Sequence, residues 1–261
     1  MKALRIAASG MMAQEMNVEL ISNNIANMRT TGFKRQRADF QDLLYQDMRR
    51  VGSQTSESGN LLPTGVQIGS GVRTAATPRI HSQGTLSSTE KETDVGVRGE
   101  GYFRVLLPDG RTAYTRDGSF ELDARGTIVT ADGWQVDPAI TVPQNSSGFT
   151  VNSQGVVQVT VGNAAAPTTI GQLQLARFVN KSGLEAIGNN LFAETASSGA
   201  PQVANPGDEG YGTLLQGHLE AGNVNSVAEI SDLIAAQRAY EMNSRVIRAA
   251  DEMLSASVSP K

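Results

Sequence analysis

The residues that could carry chemistry are few and poorly spaced for it. Histidine occurs only at positions 81 and 218, far apart in sequence and without a neighbouring ligand pattern, so no metal centre is expected. The chain has no cysteine, which removes thiol nucleophiles, disulfides and thiolate metal sites. Gly65-x-x-x-Gly69-x-Gly71 lacks the Lys-Ser/Thr of a phosphate loop, and Gly96-Val-Arg-Gly99-Glu-Gly101 opens a strand-like passage where a dinucleotide fingerprint needs a helix. Both read as backbone bends. The acid pairs Asp94/Glu100 and Asp117/Glu121 could flank a glycosidic bond, but a single tryptophan, Trp134, leaves no aromatic platform for a sugar. Asp109 and Asp117 are already accounted for by Asp-Gly turns. Arg29, Lys34, Arg35 and Arg37 form a local basic cluster in a chain of net charge -4, which argues against a nucleic-acid binder. The residue types predict no catalytic group and no cofactor.

The elements that would position these residues are clearer than the residues themselves. Near the N-terminus Leu4, Met11, Val18 and Ile25 recur every seven positions, with Ala7, Ile21 and Met28 in most of the intervening places. Near the C-terminus Leu233, Tyr240, Ile247 and Leu254 repeat that interval, with Ala236, Asn243 and Ala250 between them. Such stripes predict two helices with coiled-coil-type seams. Asn243 at a seam position lowers stability while fixing register or oligomer state. Ser226 and Glu229 have the S-x-x-E spacing of a capping box and predict the start of the second helix. Periodicity alone favours helices packed on their own domain.

Between the ends the period changes to two. Over 101–136 alternating strands are cut by Pro108-Asp109-Gly110, Asp117-Gly118, Ala124-Arg125-Gly126 and Asp132-Gly133, which predicts a β-meander closed by glycine-containing turns. Further strands are expected over 149–161 and 170–180. Residues 46–75 and 194–217 are rich in Gly, Ser and Pro with little period and read as long connectors. The expected architecture is α+β. A terminal helical domain (1–30 with 226–261), an extended connecting region (31–75 with 194–225) and a central antiparallel β-domain (76–193) make it up. No stretch approaches the roughly 18 apolar residues of a membrane span, and the N-terminus lacks a signal-peptide cleavage region.

"IANMRTTGFK", with Ala26, Asn27, Thr30, Gly32, Phe33 and Lys34, resembles the signature that follows the N-terminal helix of bacterial flagellar rod and hook proteins. "GNVNSVAEISDLIAAQRAYEMN" is similar to that family's C-terminal signature, with Asn223 and Val224 leading into a helix that carries Gln237, Arg238, Ala239, Tyr240, Glu241 and Asn243. "LPTGVQIGSGVR", "HSQGTLSSTEKETDVGVRGEGYF", "AYTRDGSF" and "SGLEAIGNNLF" extend the resemblance through the middle, closest to the members that build the distal rod. Gly222 departs from the serine that many members have there.

The resemblance implies a structural, non-enzymatic subunit that polymerises head-to-tail into the torque-transmitting tube of the basal body. The seam would comprise Leu4, Met11, Val18, Ile21 and Ile25 against Leu233, Tyr240, Asn243, Ile247 and Leu254, with the motif after the first helix as a hinge. Implied partners are further copies of the chain, proximal rod proteins, the hook protein, the periplasmic and outer-membrane rings and the flagellar type III export apparatus. Neither nucleic acid nor membrane insertion is implied, and the subunit would reach the periplasm without a cleaved signal. The segment 46–63 is the insertion expected to distinguish a distal rod member from the proximal rod protein, the alternative within the family. A secreted carbohydrate-active β-domain is the alternative outside it.

Overall fold

The computed structural model describes residues 2–52, 63–162 and 166–258. Residues 53–62 of the expected insertion, and 259–261 of the expected terminal helical domain, lie outside the described residues. The fold is α+β, with a helix at each end and a largely antiparallel β-rich body between them. It divides into two compact units, residues 1–25, 36–78 and 225–261 forming the first, and 26–35 and 79–224 the second.

The first unit holds helix α1 (Lys2–Ala26), strands β1 (Asp39–Asp42), β2 (Gln46–Arg49), β3 (Val66–Ile68) and β4 (Val72–Ala76), and helix α2 (Ser226–Val258). Both helices bury small residues: Ala7 and Ala13 with Ile21 on α1, Ala236 and Ala250 on α2. Their close approach is visible at Gly10, where a Cβ would lie 2.8 Å from the Asn243 amide nitrogen. A glycine that costs a helix about 1 kcal/mol relative to alanine here makes room for the seam asparagine. The start of α2 differs by one residue from the expected Ser-x-x-Glu box. Asn225 is the cap, its side-chain oxygen accepting from the Val227 and Ala228 amides at 3.1 and 3.2 Å. Asparagine caps as well as serine, and the residue before the expected cap does so here. β1 pairs with β4 and β2 with β3, both antiparallel, so part of the expected connector is strand.

The second unit contains β5 (Leu86–Ser88), β6 (Val95–Arg98), β7 (Tyr102–Leu106), β8 (Thr112–Thr115), β9 (Glu121–Leu122), β10 (Ile128–Val129), β11 (Gln135–Asp137), β12 (Ser146–Val151), β13 (Val156–Val161), β14 (Thr168–Gln172), β15 (Leu175–Arg177), β16 (Glu185–Gly188), β17 (Leu191–Ala193), β18 (Gln202–Ala204), β19 (Thr213–Gln216) and β20 (His218–Glu220). The main sheet runs β16-β17-β8-β7-β11-β10-β9, with β15 joining β7 to β18. Alternation explains its two faces. Phe103 and Val105 of β7 are both buried, Phe103 in a cluster with Val97, Phe120, Val136, Leu175 and Leu214. Tyr102, one position over, joins Tyr114, Phe178 and Phe192 in a second cluster on the other face. The Pro108-Asp109-Gly110, Ala124-Arg125-Gly126 and Asp132-Gly133 turns join β7 to β8, β9 to β10 and β10 to β11.

Asp117-Gly118 is not such a turn. β8 and β9, on either side of it, do not pair, and a Cβ on Gly118 would overlap the Val95 carbonyl. This glycine is needed for close approach of another strand. Residues 194–217, expected as connector, contribute β18 and β19. β19 pairs with β6 and the following β20 with β5, which binds the C-terminal approach into the β-body.

Candidate functional site

The segment that follows α1 is folded by its own polar residues. The Thr30 amide donates to the Asn27 carbonyl at 3.0 Å, the Thr30 hydroxyl to the Asn27 side chain at 3.1 Å, and the Phe33 amide to the Thr30 carbonyl at 3.3 Å. Gly32 then takes φ +68°, and a Cβ there would lie 2.8 Å from the Asp117 nitrogen and 2.9 Å from the Arg116 carbonyl carbon. Only glycine meets both demands, since positive φ costs other residues roughly 1–2 kcal/mol before any clash. Its amide donates to the Glu220 carbonyl at 2.7 Å.

That turn delivers Lys34 into the β-body. Its side chain is 1% exposed, and its ammonium donates to the Ser82 carbonyl at 2.9 Å and to Glu220 Oε1 at 2.5 Å. The same oxygen accepts from the Gly84 amide at 2.8 Å, while Arg116 Nε stands 3.0 Å from Glu220 Oε2. Arg116 also donates to the carbonyls of Gly101 and Gly99 at 2.6 and 2.8 Å and lies over the Tyr102 ring. The glycine pattern 96–101 is thus a bend whose carbonyls hold an arginine. Asn223 completes the clamp: its side chain accepts from the Arg35 amide at 2.8 Å and donates to the Ile80 carbonyl at 2.7 Å. Gly222 lies against the N-terminal turn, a Cβ there being 3.1 Å from the Met28 carbonyl oxygen and 3.2 Å from that of Asn27.

Burial pushes the Lys34 ammonium below its ordinary range, opposed by the Glu220 carboxylate. Nearby, His81 Nδ1 shares a 2.8 Å hydrogen bond with the Tyr102 hydroxyl. Burial first, then the charges of Lys34, Lys181, Arg79 and Arg116, push its pKa from 6.5 to about 4. The folded state therefore holds His81 neutral, whereas the unfolded chain protonates it below pH 6.5. Stability is fully present above that pH and is lost on acidification until the folded value is reached. Relative to His81→Gln, the wild type is expected to lose about 1.4 kcal/mol per pH unit through this window. Urea unfolding followed across it measures the slope; parallel curves for the two proteins would exclude the effect.

In the first unit a second polar contact joins the two helices. Asn24, 2% exposed, donates to the Gln36 carbonyl at 2.8 Å and to Glu229 Oε2 at 3.1 Å, and accepts from the Gln36 amide at 2.9 Å. The end of α1, the point of chain re-entry at residue 36 and the first turn of α2 are thereby tied together.

Of the expected seam residues, Ile21 is buried and Leu4, Met11, Val18, Ile25, Leu233, Asn243, Ile247 and Leu254 are half-buried. Tyr240 is 44% exposed. In the motif segments Gly32 and Lys34 are buried, Asn27, Thr30, Phe33, Asn223, Val224 and Ala239 are half-buried, and Ala26, Gln237, Arg238 and Glu241 are exposed. The basic cluster is not one surface: Lys34 is interior, whereas Arg37 pairs with Asp39 at the exterior. Sequence reasoning missed Glu220, Arg116 and Asn24. Among the described residues no group of three or more His, Asp or Glu could hold a metal ion, and no helix is long and apolar enough to cross a membrane.

Residues 4–34 match the description "Flagella basal body rod protein", 96–159 "Flagellar hook protein FlgE/F/G D1 domain" and 215–259 "Flagellar basal body rod FlgEFG protein C-terminal". The first covers α1 and the turn carrying Lys34; the third spans Glu220, Asn223 and α2. The chain is 58% identical over 257 residues to the flagellar basal-body rod protein FlgG of Caulobacter vibrioides, covering 98% of each chain. It is 37% identical to the FlgG of Bacillus subtilis, covering 100% of this chain and 99% of the other. At 25% identity it is similar to the flagellar hook-basal body complex protein FlhP of that organism. With three domain matches in order along the sequence and full-length relatives well above 30% identity, this chain belongs to the flagellar basal-body rod protein family.

Proposed function

We propose that the chain is a structural subunit of the distal rod of the bacterial flagellar basal body, polymerising head-to-tail into the tube that transmits torque to the hook. The observation that carries the reading is the surface of the first unit. Ile6, Met12 and Met16 on α1, and Val227, Ile230, Ile234, Met242, Val246 and Met253 on α2, are all exposed. Large apolar side chains at helical spacing on a face without cover mark a contact surface, and copies of the same chain supply complementary helices. Head-to-tail contacts that do not close on themselves give a helical filament. In this reading α1 and α2 pair as a coiled coil whose seam residues become fully buried in the polymer.

The role is mechanical, with no catalysis. Proximal rod proteins and the hook protein would meet the two ends of the polymer, the ring proteins its exterior, and the type III apparatus would deliver the chain unfolded. Sedimentation of the purified chain, with helix content followed by circular dichroism, tests it. Helix gain with polymer formation supports the reading; a dilute monomer with full helix content and no polymer at any concentration opposes it.

The segment 46–63 supplies stiffness in this scheme, because a connector lying against axial neighbours resists the sliding that bending needs. β2 and β3 flank its centre, so excising 53–62 and closing the gap with two glycines spares both strands. The variant polymer is expected to form but to bend more readily, seen as a shorter persistence length in electron micrographs. An unchanged persistence length would remove the segment from the mechanism.

A further inference from the structure

The polar cluster around Lys34 joins residues 186 positions apart in the chain, and its composition has a consequence for the order in which the protein folds. Without Glu220, Lys34 would have to be buried beside Arg116, two cations in one interior site with carbonyl oxygens as their remaining partners. Burying like charges without a counter-ion is strongly unfavourable, and Arg116 itself acts to push the Lys34 ammonium toward the neutral form. The backbone contacts of the segment point the same way. Gly32 donates to the Glu220 carbonyl, Asn223 donates to the Phe33 carbonyl and accepts from the Arg35 amide, and Gly222 packs on the carbonyls of Asn27, Met28 and Thr30. Residues 220–223 thus supply a large share of what receives the N-terminal segment, alongside the Ser82 carbonyl, which accepts from Lys34, and the Ile80 amide, which donates to the Arg35 carbonyl at 2.9 Å. Glu220 is itself placed by the pairing of β20 with β5.

We propose that the Lys34–Glu220–Arg116 cluster is a chain-completion latch: residues 26–35 dock on the β-body only after β20 has been laid down, and they stay undocked on a chain that has not yet folded to residue 220. The segment adjoining α1 is therefore fixed late, when almost the whole sequence is in place. This rests on the geometry of the second unit alone and stands whether or not the chain builds a rod.

Hydrogen exchange of the full chain, read by mass spectrometry on peptides covering 26–36, tests the latch. In Glu220→Gln the exchange of this segment is expected to accelerate about a hundredfold, the equilibrium effect of breaking a buried pair, and by more than that of β7, β8 and β13. Adding Lys34→Met in that background removes the ammonium that must be buried, and is expected to restore about a tenfold or greater part of the loss. Unchanged exchange in Glu220→Gln overturns the proposal. So does a double variant as fast as the single, which would place the effect in lost hydrogen-bond geometry. Should Glu220→Gln fail to fold, recovery of a cooperative unfolding transition in the double variant supports the latch and continued failure overturns it.

Discussion

Glu220→Leu is expected to destabilise the β-body by about 3–5 kcal/mol, the range for removing one partner of a buried ion pair, and Lys34→Met by distinctly less. The asymmetry follows from which group is shared. Glu220 answers two buried cations and the Gly84 amide at once, so its loss leaves three interior groups short of an acceptor. Lys34 is one of two cations on a single carboxylate. When it becomes methionine, Glu220 keeps Arg116 and the Gly84 amide, and the cost falls to about 1–3 kcal/mol for the lost hydrogen bonds. Urea unfolding of the full chain, followed through Trp134 in the second unit, measures both. A Lys34→Met cost equal to or above that of Glu220→Leu would mean that the cluster is not centred on the carboxylate. Buried ion pairs are weak contributors to net stability, so the expectation concerns what remains after one member is removed, not the worth of the intact triad.

Gly84 and β20 show why the cluster was not legible in the sequence. A Cβ on Gly84 would overlap the Ala221 carbonyl, and the same glycine's amide binds Glu220. Nothing local to "SQGT" or "HLEAG" signals that these two stretches meet, because the pairing is set by sheet topology. The motif "TTGFK" was legible as a motif, and its glycine as a turn, since positive φ is a local property. That its lysine points inward was not, because a lysine among three arginines reads as a solvated face. The helices were legible for the opposite reason: a stripe recurring over several turns carries its own repetition. Of the seam residues drawn from it, Ile21 is buried, whereas Tyr240 is largely exposed. The same logic separates the strands. The strands of 101–136 announced themselves by the glycine-containing turns that cut them, while β18, β19 and β20, three or four residues each, lie in a stretch without that regular punctuation. At Asp117-Gly118 the sequence displayed correct turn chemistry, but the glycine serves the passage of Val95. A local signal was present, and a tertiary contact used it for something else.

The second large effect is expected in assembly and not in the fold. Ile234→Asp with Val246→Asp should leave the isolated chain folded and soluble while abolishing polymer formation at concentrations where the wild type assembles. Ile234 and Val246 are 46% and 48% exposed, so neither aspartate enters a core, and each costs an exposed helix position only about half a kcal/mol in propensity. If these faces meet other copies, each wild-type side chain gains about 1.5–3 kcal/mol on full burial. Each aspartate instead has to be desolvated without a partner. Because every subunit presents the same face, the penalty recurs at each addition and the critical concentration rises by orders of magnitude. The control is Arg238→Ala, also on an exposed part of α2, which removes a charge without adding one to an apolar stripe and should leave assembly intact. Circular dichroism and the Trp134 unfolding curve verify the monomer, and sedimentation reads the polymer. Normal polymer from the double aspartate variant would mean that the apolar stripe on α2 faces solvent in the assembled state, and that the contacts between copies are made by the β-body.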